Sequence, residues 1–320
     1  MPHENRIARN RLNFLWKQLV DEKRLSTWDN VVSDIGLAEY DITRQGYDFE
    51  NLDDESSNLG QTPPILFVPL PLAELRAHPI APECLEHMKY SEYDPDDSTW
   101  STPRHCAHNT ATYLDHCMSG FRPSLAEKNT CTDFICSEFM ERENLEPLCP
   151  PNPFWFGWGL DGPEWQTISA TSPGQVDGQD VYANLTLQTV HSFYGVEGAM
   201  HYHELVVIIS AMRNRARQFK VDDMDMDDDD EMRELEDTIT EKEWDEYDRV
   251  FPKEARFPVL MTSYFGPQHG RVFYACMDGQ QLIIRQSKIY SFERFESAPI
   301  ELFTRLLLSR PLADPLLSLP

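Results

Sequence analysis

The sequence predicts an α+β protein, in which an antiparallel β-meander plus a helix at the C-terminus packs with an irregular, helix-containing N-terminal portion. The meander is predicted by three strand-like segments joined by turns, which are 257–265, 271–277 and 281–292. The second turn is Asp278-Gly279, a dipeptide that favours a two-residue hairpin because its central positions need positive φ. Residues 299–309 then repeat apolar side chains at helical spacing, and Pro311 ends the helix.

The charge distribution divides the chain into three parts. Residues 221–250 hold sixteen Asp or Glu against three cations, a net charge of −13 and half of the −26 of the whole chain. We predict an irregular α+β portion over 1–219, an acidic spacer or insertion over 220–250, and a β-β-β-α unit over 251–312. In the alternative, a strand at 181–191 pairs with the C-terminal sheet, and 251–312 forms one domain with 176–219.

Further helices are predicted by apolar periodicity and charge. Residues 3–24 repeat apolar side chains at helical spacing beside a basic face, and 199–218 end in basic residues that suit the negative end of a helix dipole. A charged helix is expected from Glu231 to about Tyr247, after an acidic tract at 222–230 that has little to bury. The proline-rich run 63–71 predicts an edge strand or an extended segment.

Composition restricts the partners and the location. A net charge of −26 repels phosphate backbones, so nucleic acid is not an expected ligand, and a protein partner with basic character fits better. No apolar run has the length of a membrane span, and the N-terminal residues are polar and basic. The seven cysteines are an odd number, which is typical of reduced thiols. We therefore expect a cytoplasmic or nuclear protein.

One short motif has the residue types of a metal site. His201, His203 and Glu204 offer two imidazoles and a carboxylate, which can ligate zinc or another divalent metal. On a helix, however, side chains two positions apart point in different directions, and the alternative interpretation places these histidines at the rim of a buried helix.

Two other groups of residues can be interpreted in a structural or a functional sense. His and Cys residues between 105 and 136 could bind zinc, although their spacing fits no standard knuckle, and buried thiols are the alternative; they are His105, Cys106, His108, His116, Cys117, Cys131 and Cys136. Aromatic side chains at 154–158 could bind a partner or pack in the core, and they are Phe154, Trp155, Phe156 and Trp158. His269, in the predicted turn, is a further candidate binding residue.

The C-terminal block resembles a set of filamentous-fungal proteins of uncharacterised activity. The resembling residues lie within about 255–312 and are Gly266-Pro267-Gln268-His269-Gly270-Arg271, Met277-Asp278-Gly279, Ser287-Lys288-Ile289-Tyr290-Ser291-Phe292 and Ala298-Pro299. The resemblance implies an ascomycete source and a compact C-terminal unit, and it implies no mechanism.

The sequence therefore favours a non-catalytic interaction or regulatory protein with no cofactor. It has no phosphate-binding loop, no dinucleotide fingerprint, no nucleophile elbow and no kinase motifs. The alternative is a metal-dependent enzyme that uses His201 and His203 or the His and Cys residues of 105–136.

Overall fold

The structure is a computed structural model with an α+β fold. It describes residues 3–27, 29–79, 89–97, 102–121, 140–142, 154–159, 162–173, 182–218 and 249–318. The predicted acidic tract, the predicted helix from Glu231 to about Tyr247, and Cys131 and Cys136 lie outside these residues. Among the described residues, no helix has the length and apolar character that a membrane span requires.

A mixed sheet of nine strands forms the centre of the described part of the chain. Its strands are β2 Ile42–Gly46, β4 Met140–Arg142, β5 Phe156–Gly159, β6 Gly162–Pro173, β7 Leu185–Tyr194, β9 Val259–Gly266, β10 His269–Asp278, β11 Gln281–Gln286 and β12 Tyr290–Ser291. They are arranged in the order β2-β11-β10-β9-β7-β6-β4, with β12 paired to β10 and β5 to β6. Two small sheets pair β1 Val31–Val32 with β8 Met200–His201, and β3 Phe67–Val68 with β13 Arg310–Pro311.

Seven α-helices are described around these sheets. They are α1 His3–Leu15, α2 Asp34–Ala38, α3 Glu55–Leu59, α4 Leu72–Ala77, α5 Pro103–Gly120, α6 Tyr202–Arg217 and α7 Ile300–Leu307. The helix predicted over 3–24 is confirmed, although its second part, Trp16–Asp21, winds as a π-helix. The helix predicted over 199–218 is confirmed as α6, all of whose residues are buried, including the charged Glu204 in its first turn and Arg213, Arg215 and Arg217 in its second half.

The predicted C-terminal meander is confirmed, with one difference. Strands β9, β10 and β11 are consecutive antiparallel neighbours, and α7 follows them. The third strand ends at Gln286 and does not continue to Phe292. There the side chain of Ser287 accepts the backbone N–H of Val272 over 2.9 Å, so a hydroxyl takes a position that a strand carbonyl would hold. The chain rejoins the sheet as β12.

The meander shares its sheet with β7, which overlaps the strand predicted at 181–191 from Leu185 onwards and ends later, at Tyr194. β7 pairs in parallel with β9, from Leu185 opposite Val259 to Tyr194 opposite Gly266, and α6 lies in the connection between them. Parallel neighbours need such a crossover. The sheet therefore continues across the position of the predicted acidic spacer.

Helix α5 was not predicted, because its apolar stripe is narrow and polar residues fill most of its surface. Its buried apolar side chains include Ala107, Ala111, Leu114 and Met118, and Thr102 caps its first turn. The stripe packs on one face of the sheet together with α7, whereas α1 and α6 cover the other face. Alternate residues of β9 and β10 therefore enter two different cores.

The Asp278-Gly279 turn provides a test of the hairpin assignment. Gly279 has φ +61°, and a Cβ built there would contact nothing within 4 Å. Gly279→Ala should therefore lower the free energy of unfolding by about 1 kcal/mol through backbone strain alone. Gly279→Asn should cost less, because Asn tolerates this conformation.

Urea denaturation of the full chain measures the difference. Gly46→Ala is the control, since Gly46 also has open space around its Cβ position but no positive φ. Equal effects of the two alanine substitutions would contradict the turn geometry.

Candidate functional site

A carboxylate and a guanidinium lie together in the buried interior between α6 and β10. The side chains of Glu204 and Arg271 have no exposed surface. Arg271 donates from Nε to Oε1 of Glu204 over 2.9 Å and from Nη2 to Oε2, so the ion pair is bidentate. Ser263 donates to Oε1 over 2.6 Å, and the backbone N–H of His201 donates to Oε2 over 2.8 Å. Both carboxylate oxygens of Glu204 are therefore occupied.

The protonation state of Glu204 follows from these contacts. Burial by itself raises the pKa of a carboxylate, because it disfavours the charged form. Here the charge of Arg271 and its hydrogen bonds outweigh burial and lower the pKa of Glu204 to about 2. The group stays ionised near neutral pH, whereas a general acid or base needs a pKa close to the working pH.

Three buried histidines interact electrostatically with this carboxylate. They are His191, His201 and His203, with exposed fractions of 0%, 3% and 4%. Burial lowers the pKa of His191 to about 3 and of His203 to about 4, and it also lowers the pKa of His201. The rings are therefore neutral at pH 7. The 3.0 Å contact between Nε2 of His203 and Oε2 of Glu164 is accordingly a hydrogen bond from a neutral imidazole.

The three predicted metal ligands are not arranged around a common point. His201 precedes α6 and stacks on Phe193 with ring centroids 3.6 Å apart. His203, in the first turn of the helix, lies against Trp165 at 4.7 Å. Glu204 is held by Arg271, as described above. Among the described residues, no three His, Cys, Asp or Glu side chains are placed to hold a metal ion.

The described members of the 105–136 group lie on opposite sides of α5. His105, His108 and His116 are exposed, whereas Cys106 and Cys117 are buried. Burial raises the pKa of Cys117 to about 12, so its thiol is protonated and a poor metal ligand. The helix separates the imidazoles from the thiols.

The predicted aromatic binding residues divide between core and surface. Phe154 is fully buried, and Trp155 packs against it at 4.9 Å. The side chain of Phe156 is 50% exposed, and that of Trp158 lies outside the described parts. His269 is half-buried at the start of β10.

An open groove of about 760 Å³ lies beside α7 and was not predicted from the sequence. Its walls are the first turn of α7, the turn Phe295–Ser297, β12, and parts of α4 and the segment before α3; the apolar members are Leu72, Tyr290, Phe295, Ala298, Pro299, Ile300 and Leu302. The side chain of Phe295 is 50% exposed. Tyr90 packs behind it at 5.1 Å, and Tyr113 lies 6.3 Å away, so the wall is supported by other aromatic rings.

The charged residues of the groove are mostly paired. Lys288 Nζ lies 2.8 Å from Oε1 of Glu50, and Arg305 is buried and bound to Asp53. Glu301 accepts two hydrogen bonds of 2.8 Å from Arg76. The remaining lining carboxylate, Glu296, is exposed and makes no ion pair or hydrogen bond with the residues that the structure describes.

A smaller cavity of about 250 Å³ adjoins the groove at Lys288. Its other charged side chains already have partners. Arg44 donates to Asp34 over 2.8 and 3.1 Å, and Glu197 accepts the backbone N–H of Ile289 over 3.0 Å. The larger groove, with its exposed Phe295 and a Glu296 that is unpaired among the described residues, is therefore the better candidate for a binding site.

Comparisons with family models, with curated proteins and with solved structures gave no match to this chain.

The buried ion pair leads to a stability prediction. Arg271→Met leaves the Glu204 carboxylate buried without its partner and should lower the free energy of unfolding by about 3 to 5 kcal/mol. Adding Glu204→Leu should recover part of this loss, because it removes the unpaired charge. Urea denaturation of the two single variants and the double variant measures the coupling. Arg76→Met, which breaks an exposed pair, is the control and should cost far less. Additive losses in the double variant would contradict this account.

The neutral histidines lead to a prediction about pH. Their folded-state pKa values lie below the unfolded value of about 6.5, so the unfolded chain binds more protons at mildly acidic pH. The stability that they contribute is complete above pH 6.5 and is lost as the pH falls toward the folded-state values of about 3 and 4. Between pH 6 and pH 5, each such histidine should reduce the free energy of unfolding by about 1 kcal/mol per pH unit.

Urea denaturation at several pH values between 7 and 5 tests this expectation. His203→Gln should flatten the pH dependence, because it removes one of these groups. His116→Gln, at an exposed histidine, should leave the slope unchanged. A slope that is the same in all three proteins would show that His203 does not titrate as argued.

Proposed function

We propose that this chain is a non-catalytic interaction protein that holds a segment of a partner protein in the groove beside α7. The observation that carries the proposal is the groove itself, where a half-exposed Phe295 and apolar side chains of α7 form one continuous concavity. Its volume lies within the range of ligand-binding clefts, and exposed apolar patches with polar rims commonly mark interaction sites. A supported aromatic side chain is also typical of residues that dominate binding energy.

The buried charged network supports the same proposal. Glu204, Arg271 and the three histidines have the residue types of a catalytic centre, but their described contacts are internal and they have almost no exposed surface. No contact among the described residues supports the alternative prediction of a metal-dependent enzyme. The described cysteines Cys106, Cys117 and Cys276 are buried thiols that form no disulfide with one another, which suits a reducing compartment and supports a cytoplasmic or nuclear location.

Selection of phage-displayed random peptides on the full chain tests the groove. Selected peptides should bind Leu302→Asp about tenfold more weakly than the unchanged protein, because a carboxylate replaces apolar surface at the groove wall. Leu316→Asp is the matched control: Leu316 is 38% exposed and does not line the groove. Affinities should be measured by fluorescence anisotropy, and circular dichroism should confirm that both variants fold.

Two results would overturn the proposal. One is a failure of the full chain to enrich any peptide. The other is equal binding of the enriched peptides to Leu302→Asp and Leu316→Asp, since the peptides would then bind elsewhere.

A further inference from the structure

We infer that the occupant of the groove is a basic polypeptide segment, in which an arginine or lysine side chain pairs with Glu296 and an adjacent apolar side chain packs on α7. This inference rests on the function proposed above, because it names the partner of the same groove. It is based on which charged side chains of the groove already have an ion-pair or hydrogen-bond partner among the described residues and which do not, together with the net charge of the chain.

The cations of the groove already have carboxylate partners. Arg305 is 7% exposed, and its guanidinium donates to the carbonyl of Leu70 over 2.6 Å and to Asp53. Lys288 is paired with Glu50 and lies 5.1 Å from the ring centroid of Tyr290. An acidic ligand at the exposed Lys288 would share that cation with Glu50 and would be repelled by its carboxylate, whereas Arg305 is buried behind its own contacts.

One carboxylate of the groove, Glu296, presents the opposite situation, whereas Glu50 and Glu301 are paired. Glu296 has no ion pair or hydrogen bond with the described residues, and it follows the half-exposed Phe295 in the same turn. A cationic side chain can pair with Glu296 without breaking any described contact. Such a contact adds a favourable charge interaction and removes none.

The apolar wall fits the same type of side chain. Arginine and lysine bury their aliphatic stems on apolar surface while their charged ends reach a carboxylate or water. A guanidinium also stacks on aromatic faces, and Phe295 offers half of its surface beside Glu296. A basic residue with a neighbouring leucine or similar side chain would therefore use Glu296, Phe295 and the apolar side chains Ile300 and Leu302 together.

The charge of the whole chain acts in the same direction. A net charge of −26 attracts cationic segments over distances of about a Debye length and raises their association rate. This attraction is not specific to the groove, however, and any acidic surface would share in it. The experiment must therefore separate local pairing at Glu296 from general attraction.

Two labelled synthetic peptides serve as probes for the full chain: one alternates leucine with arginine, and the other alternates leucine with glutamate. Fluorescence anisotropy should show that the arginine peptide binds at least about tenfold more tightly. Glu296→Lys should weaken its binding by about five- to tenfold, and Glu296→Gln by less.

Glu39→Lys is the matched control, because it makes the same charge change at an exposed glutamate outside the groove lining. It should change the affinity by less than about twofold, as expected for a screened, distant charge. Equal effects of Glu39→Lys and Glu296→Lys would show general attraction only and would overturn the inference. Tighter binding of the glutamate peptide would also overturn it.

The two proposals fail in distinguishable ways. If peptides selected by phage display depend on Leu302 but contain no excess of basic residues, the interaction role stands and the basic occupant is refuted. If Leu302→Asp leaves the binding of every probe unchanged, the groove is not the binding surface, and both proposals fail.

Discussion

The buried ion pair of Glu204 and Arg271 fixes how the crossover helix meets the C-terminal meander. β7 and β9 are parallel neighbours, so the chain must cross the sheet between them, and α6 lies in that crossover. Arg271 also donates from Nη1 to the carbonyls of Val196 and Ala199, in the loop that leads to α6. One guanidinium thus joins β10 to the beginning of a helix and to the loop before it. Because burying two charges is costly, the pair is stable only with its hydrogen bonds satisfied, and this requirement defines the relative position of the three elements.

The same interaction explains why residues whose side chains are of catalytic types have structural roles here. Burial keeps His191 and His201 neutral, and the positive charge of Arg271 opposes their protonation further. A charged imidazole beside the Arg271 guanidinium would need a negative charge to balance it. The carboxylate of Glu204 is already paired with Arg271. The charge of Arg271 is thus balanced by Glu204 at the centre of the fold, whereas Glu296 is an exposed carboxylate that makes no ion pair with the described residues.

The parts of the structure that could be predicted are those specified by local sequence. The Asp278-Gly279 turn and the periodicity of the α7 residues depend on a few neighbouring side chains, so the meander and its helix were recognisable. The ion pair joins residues 204 and 271, and no local pattern connects them. Locally, Glu204 accepts the backbone N–H of His201, three positions earlier, and this contact at the start of α6 competes with metal binding. The groove combines residues near 50, 72 and 288–305, which are distant in sequence, so no local pattern indicates it.

Arginine side chains are buried more often than carboxylates in the described part of the chain. Six arginines are buried in the described residues, namely Arg213, Arg215, Arg217, Arg271, Arg285 and Arg305, whereas the buried carboxylates there are Glu204 and Asp314. Arg285, for example, donates to the carbonyl of Pro63 over 2.7 Å, so it acts as a connector between segments of the chain. Buried arginines thus outnumber buried carboxylates among the described residues. The surface of the described residues is therefore more acidic than the net charge of those residues alone indicates, which is the charge balance on which the proposed basic segment depends.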